Sequence, residues 1–336
     1  MLRRSIPLCA VALAAFAVLA LAGCGGDEEQ PDELRTVTVM LDWTPNTNHT
    51  GIYVAKAKGW YEEAGLDVQI VEPAEAGVNQ VVGAGQAEFG ISFQEQVIPA
   101  RAQGVPIVAI AAIIQHNTSS LASLAEDGIE RPRDLEGKTY GGFGGALERE
   151  IIERLVSCDG GDPSTVRFVE VGNVDYLVGM ERNQYDVVWI FDGWEGIRFT
   201  EIEKREMNFI RFIDWSECIP DWYTPLIITS ERMIAEEPEV VRAFMEATAR
   251  GYEFAIENPD EAAELLLEAV PELDEQLVRL SQRYLADRYV DPGRPWGLMD
   301  EEVWVRFEQF LREAGLIEEP VDVSKAYTNE FLPRAE

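Results

Sequence analysis

Histidine and cysteine are nearly missing from this chain, with two of the first and four of the second in 336 residues. Two imidazoles, His49 and His116, exclude a histidine-rich zinc site, and no CxxC pair or cluster of metal ligands is present. No metal and no cofactor are expected. Cys158 and Cys218 are free to pair in an exported protein, but nothing in their spacing decides it. GxSxG, P-loop and HExxH signatures are also absent, which removes the usual nucleophile elbow, phosphate cradle and zinc-hydrolase helix. Basic side chains are few: 28 Lys and Arg face 61 Asp and Glu, a net charge of −33. Such a surface repels nucleic acid and anionic lipid alike, so no nucleic-acid partner is expected. It also disfavours a strongly anionic ligand, although screening over about 8 Å lets a local pocket differ from the global field. Solubility or salt adaptation accounts for much of the acidity, and plentiful carboxylates leave a hydrolase open on composition alone.

What is present begins at the N-terminus. Arg3 and Arg4 precede an apolar run over 6–21 that ends in LAGC, and Cys24 is followed by Gly25, Gly26, Asp27, Glu28 and Glu29. Positive, then apolar, then small residues before a cysteine read as a bacterial lipoprotein signal over 1–23. Acylation of Cys24 would then tether an exported chain to the extracytoplasmic face of a cell membrane. The run falls short of the roughly 20 residues that a membrane span needs. Losing the signal removes only Arg3 and Arg4 and leaves 26 basic against 61 acidic side chains, a net charge of −35. Lipid, not surface charge, would hold the protein in place. Residues 24–35 are Gly, Asp, Glu, Gln and Pro-rich and read as a flexible tether.

About three hundred residues remain, enough for one large or two medium domains. The stretch 41–59, LDWTPNTNHTGIYVAKAKG, follows a β-branched alternating run and changes period at Ile52 from two to helical. Pro45 ends the strand, the Asn/Thr run offers helix caps, and Gly59 closes the helix. Trp43, Asn46 and His49 thus fall between a strand end and a helix start, where open α/β sheets hold ligands. Capping and core roles serve the same three residues equally well. Further strands are expected at 67–71, 88–92, 107–114, 138–141, 166–171, 186–190 and 224–229. Helices are expected at 78–83, 95–102, 146–156, 175–182 and 194–205, with long amphipathic ones at 240–257, 260–268, 274–289 and 300–314. Strands alternating with helices argue for a parallel α/β architecture.

DWTPNTNHTG followed by GWYEEAGLDV resembles the opening of the thiamine-precursor family. That family comprises bacterial solute-binding proteins that capture formylaminopyrimidine for an ABC importer and fungal enzymes that make the thiamine pyrimidine. AEFGISFQEQ, IAAIIQHNTSSLAS, RDLEGKTYGGFGG, FDGWEGI, DWYTPLIITSE and AYTNEFLP extend the likeness to the binding-protein branch over nearly the whole mature chain. The resemblance implies a two-lobed type II periplasmic-binding-protein fold with a cleft between lobes joined by two crossovers, near 117–123 and 214–221. The lobes would be 36–117, 118–222 and a returning, largely helical 223–336, closing by a hinge motion. It implies a monomer, with ABC permease and ATPase subunits as partners. The enzyme branch carries a CCCFC stretch where this chain has Asp221, Trp222, Tyr223 and Thr224. That departure argues against catalysis, and no catalytic residue is assigned.

A flat aminopyrimidine needs stacking rings, each contributing about 0.5–1.5 kcal/mol, and a carboxylate for its exocyclic amine. Glu195 in FDGWEGI fits the second requirement, Phe191 and Trp194 the first; a helix first-turn acid and core aromatics are the bland readings. Trp43 and Asn46 would complete the ring contacts with His49 nearby, while the amides of Gln94 and Asn117 suit a polar substituent or else cap loops. Tyr223 is either a lid or a hinge-packing aromatic. The GGFGG run at 141–145 permits close backbone approach and opens a helix whose N–H groups suit a ligand oxygen. Trp296 and Gly297 read as packing.

Overall fold

The computed structural model describes residues 34–172 and 174–333. The signal, Cys24 and nearly all of the tether lie outside them. Four strands open the chain: β1 (Arg35–Met40), β2 (Leu66–Val71), β3 (Phe89–Ser92) and β4 (Ile107–Ala112). Five follow: β5 (Ser119–Leu124), β6 (Thr139–Gly142), β7 (Arg167–Glu170), β8 (Val187–Phe191) and β9 (Met207–Arg211), before β10 (Leu226–Ser230). They form two five-stranded sheets, in the orders β2-β1-β3-β10-β4 and β7-β6-β8-β5-β9. The chain crosses from the first sheet to the second over 113–118 and returns over 212–225. This is a two-lobed α/β fold.

Two strands depart from expectation. The segment 119–124, SSLASL, expected as part of a crossover, is a buried strand lying antiparallel between β8 and β9. Its serines and alanine give no β-branched signal; burial between two partners makes it a strand. The edge strand β9 lay inside an expected helix-to-crossover passage. Both sheets are mixed, because β10 also runs antiparallel between β3 and β4.

Helices α1 (Thr50–Ala57), α2 (Trp60–Glu63), α3 (Val78–Gly83) and α4 (Gln94–Ala102) belong to the first sheet, α5 (Ala146–Cys158) and α6 (Tyr176–Glu181) to the second. The returning part supplies α7 (Glu231–Glu236), α8 (Pro238–Glu257), α9 (Pro259–Ala269), α10 (Glu275–Ala286) and α11 (Glu301–Glu313). In α8, Val241, Phe244, Met245, Thr248, Tyr252 and Ala255 recur at three- and four-residue spacing and are all buried. Gly251 lets α8 meet α1 at backbone distance: a Cβ there would lie 2.0 Å from the Gly51 carbonyl oxygen. The helix that starts at Thr50 is thus pinned from behind, and the loop before it is pinned with it. Trp296 is buried, stacks on Tyr252 at 4.3 Å and donates its indole N–H to the Ile113 carbonyl. One apolar core runs continuously from Val97 and Ile98 of α4 through Trp222 and Phe307 to Ile151 and Leu155 of α5, tying the sheets together across the crossovers. Cys158 and Cys218 are disulfide-bonded, joining the end of α5 to the returning crossover.

Candidate ligand-binding site

In the first lobe the loop after β1 consumes most of its own polar groups. The Asn46 side-chain oxygen accepts from the Asn48 N–H at 2.9 Å, and its amide donates to the Thr44 carbonyl at 3.0 Å. His49 is fully buried; Nδ1 accepts from the Asn46 N–H at 3.2 Å and Nε2 lies 2.7 Å from Asp42 Oδ1. Asn46 and His49 therefore hold the loop in shape. Tyr252 and Tyr289 brace it from outside, donating their hydroxyls to the Asn48 and Thr47 carbonyls at 2.8 and 2.6 Å. Trp43 is left standing out, 44% exposed.

In the second lobe β8 ends at Phe191, and two π-helical turns follow, Asp192–Gly196 and Arg198–Ile202, where an ordinary helix over 194–205 was expected. Wide turns of this kind reposition side chains and favour functional positions. Glu195 Oε2 accepts from the Phe191 N–H at 3.2 Å. Burial pushes the Glu195 carboxyl up, with backbone N–H groups and Arg198 pulling the other way. Trp194 packs on the apolar cluster of α9 and α10 that contains Ala263, Leu266 and Val278. The glycine run differs from expectation: the Phe143 and Gly145 N–H groups already donate to the Glu148 carboxylate at 3.1 and 2.9 Å, as does the Tyr140 hydroxyl at 2.8 Å. The chain's own acid fills the place expected for a ligand oxygen.

One hydroxyl is bonded to both halves. Ser281 of α10 lies 2.5 Å from the Thr47 hydroxyl in the first-lobe loop and donates to the Gly193 carbonyl in the second-lobe turn. Gly193 is pressed on the same helix, where a Cβ would stand 3.0 Å from the Tyr284 ring and 3.1 Å from Leu285. The loop carrying Trp43 and the turn carrying Glu195 thus converge on one face of α10.

The crossovers close the floor. Gln94, fully buried, exchanges three hydrogen bonds between α4, Tyr223 and α11: its N–H to the Tyr223 carbonyl, the Tyr223 N–H to its Oε1, and its amide to the Val303 carbonyl. Tyr223 is buried, accepts from the Asp300 N–H, and burial pushes its hydroxyl up to about 12. Both side chains pack the hinge, and of the two readings of Tyr223 the hinge-packing one describes its place. Asp221 bridges the crossovers, accepting from the Asn117 N–H at 3.0 Å and lying 2.6 Å from His116 Nδ1. His116 is raised to about 9, first by its bond to Asp221 and further by Asp291.

Sequence reasoning passed over Glu95, an acid in the first turn of α4 that looks like ordinary dipole chemistry. Its carboxyl is pushed up to about 8 by burial, aided by the nearby Asp42 charge and opposed by the Trp222 indole. Even so, neither Glu95 Oε2 nor Trp222 Nε1 completes a hydrogen bond. Asn117 Nδ2 and the Ser119 and Thr224 hydroxyls are likewise buried without partners, while the Ser120 hydroxyl and Asp192 Oδ1 face each other without a full hydrogen bond. Six of the ten such atoms among the described residues lie on the crossovers or at the strand ends beside them. Buried polar atoms are normally paired, so orphans concentrated at one place mark a polar site rather than a core.

The family model described as NMT1/THI5 like matches residues 46–262. The chain belongs to that family. A formylaminopyrimidine-binding protein of Halalkalibacterium halodurans is 32% identical, over 94% of this chain and 96% of its own. A 4-amino-5-hydroxymethyl-2-methylpyrimidine phosphate synthase of Legionella pneumophila is 29% identical, over 88% of this chain and 92% of its own. Among solved structures, the periplasmic aliphatic sulphonate binding protein SsuA of Escherichia coli superposes with a TM-score of 0.68 at 14% identity, covering 87% of this chain and 97% of that one. The NMT1/THI5-like family thus holds proteins named as binders and proteins named as synthases. Where the cysteine stretch of the synthase branch would fall, this member uses Asp221, Trp222 and Tyr223 to tie its crossovers together. Among the described residues no helix is long and apolar enough to cross a membrane.

Proposed function

We propose that this chain is a lipid-anchored solute-binding protein that captures a thiamine-related pyrimidine between its lobes and passes it to an ABC importer. The lobes are 36–117 with 223–336, and 118–222; the anchor is the lipid on Cys24. The observation that carries the reading is the set of buried polar atoms on or beside the crossovers that complete no hydrogen bond, Asn117 Nδ2 and the Ser119 and Thr224 hydroxyls, donors and acceptors together. A flat heterocycle with ring acceptors and an exocyclic amine matches that mixture. Trp43 and Phe191 supply stacking faces, and Glu195 accepts from the amine. Asn46, His49, Gln94 and Tyr223 contribute by holding the walls, and Trp194 by seating the turn on α9 and α10. Calorimetry with formylaminopyrimidine, hydroxymethylpyrimidine, thiamine and riboflavin tests the reading: a pyrimidine is expected to bind in the micromolar range or tighter, and silence from every pyrimidine would refute it.

The synthase relative motivates a second reading, a pyrimidine-forming enzyme on the same scaffold. Turnover, or a pyridoxal adduct on a lysine seen by intact-mass spectrometry, would favour it. The hinge role of Asp221, Trp222 and Tyr223, in place of a cysteine stretch, speaks for binding.

A further inference from the structure

We infer that residues 281–291, the end of α10 and the turn after it, form a strap that holds the ligand-free lobes together, and that the lobes part when this strap lets go of the second-lobe turn. The inference goes beyond the reading above, because it names no cargo. Ser281, Tyr284, Leu285 and Arg288 recur at the spacing of one helix face, the last of them just past the end of α10. Ser281 donates to the Gly193 carbonyl, and Gly193 sits against the Tyr284 ring and Leu285. Trp194 adds an apolar wedge, packed on Ala263, Leu266 and Val278 of α9 and α10. Arg288 lies over the Tyr284 ring, 3.6 Å from its centre, and donates to the Tyr284 carbonyl at 2.7 Å. Burial pushes the Asp192 carboxyl up, while Ser120, Arg211 and, from the other lobe, Arg288 pull it down.

The same segment is fastened from behind. Tyr289 donates its hydroxyl to the Thr47 carbonyl at 2.6 Å, the Arg288 carbonyl accepts from the Gln115 N–H at 3.2 Å, and Asp291 lies 3.1 Å from His116 Nε2. These contacts bind the strap to the first lobe and to the outward crossover, on which the second lobe turns. They survive when the lobes part. The contacts to Asp192, Gly193 and Trp194 cannot, because they cross from one lobe to the other. Residues 281–291 therefore have a fixed side and a releasing side. On the releasing side the grip is small: one hydroxyl, one glycine contact, one indole, and a guanidinium that shares Asp192 with Arg211, itself 3.1 Å from that carboxylate. A grip of this kind biases a two-state equilibrium without locking it.

Hydrogen exchange and X-ray scattering on the ligand-free mature chain test the strap, with R288E, W194A and, as a control, R283E. Arg283 lies on the same helix but bonds Asp260 at 2.6 Å, off the gripping face. R288E puts a carboxylate beside Asp192, and W194A takes away the wedge. Each is expected to enlarge the radius of gyration and to quicken exchange of the amides of 193–202 about tenfold, while the amides of β1 and β6 keep their wild-type rates. R283E should leave both readouts as in the wild type. The inference is overturned if R288E and W194A change neither the radius nor exchange over 193–202. Equal quickening in β1 and β6 would make the seam a general brace of the fold and also overturn it. So would an effect of R283E as large as that of R288E, which would make net charge the cause. None of these readouts uses a ligand, so the outcome stands apart from the calorimetry that decides the cargo.

Discussion

The side chains expected to touch a ligand are held differently in the two lobes. In the first lobe, the side chains that look most like ligands in the sequence, Asn46, His49 and Gln94, have their polar atoms bonded within the chain. In the second lobe, the turn after β8 holds the Glu195 carboxyl through backbone N–H groups, with no side chain among the described residues bonded to it. The contrast teaches that amides and an imidazole beside a strand end are as useful for fixing a loop as for touching a ligand.

Exchanging roles between the lobes tests the contrast. The largest effect is expected from His49→Ala, which leaves Asp42 without its partner inside the first lobe. Removing the donor from a buried hydrogen-bonded acceptor costs about 1–3 kcal/mol, and urea unfolding should show a loss of that order. A loss under about 1 kcal/mol, with affinity abolished, would make His49 a ligand group and erase the distinction. Glu195→Gln should act in the opposite sense, weakening pyrimidine binding about tenfold, roughly 1.4 kcal/mol, with an unchanged urea midpoint. Unchanged affinity would remove Glu195 from the site.

A smaller effect follows from Gly193→Ala, whose new methyl would press Tyr284 and Leu285 at 3.0 and 3.1 Å and push the turn off α10. Overpacking costs about 1 kcal/mol or more, and X-ray scattering of the ligand-free protein should show a larger radius of gyration. An unchanged radius would mean that the contact does not hold the lobes together. The smallest effect is a pH dependence at the crossovers. His116 is raised to about 9 by Asp221 and Asp291, so its contribution is fully present below the ordinary 6.5 and is lost as pH rises through about 9. Its half-exposed ring keeps that contribution to about 1 kcal/mol or less. His116→Gln should flatten the alkaline limb of a melting-temperature profile between about pH 7 and 9, and an unaltered limb would locate the effect elsewhere.

Much of the fold was legible because its signals are local. Alternation of apolar side chains marked β1 and β2, and three- and four-residue spacing marked α8 to α11 to within a few residues. Ser119 to Leu124 was illegible because its strand character comes from two neighbours distant in sequence. The π-helical turns share a helical apolar pattern and differ only in where the backbone bonds fall. For the candidate site, sequence reasoning pointed to the loop after β1, the turn after β8 and the crossovers, yet it could not tell a strut from a contact. That depends on which atoms find partners in space.

The covalent link between Cys158 and Cys218 spans 60 positions, and loop-closure entropy values such a staple at about 4 kcal/mol. Because one end sits on the last turn of α5 and the other on the returning crossover, chain made in a reducing cytoplasm would lack this brace between the second lobe and its pivot. Oxidising conditions would supply it, so the stiffness of the pivot would report the redox history of the chain.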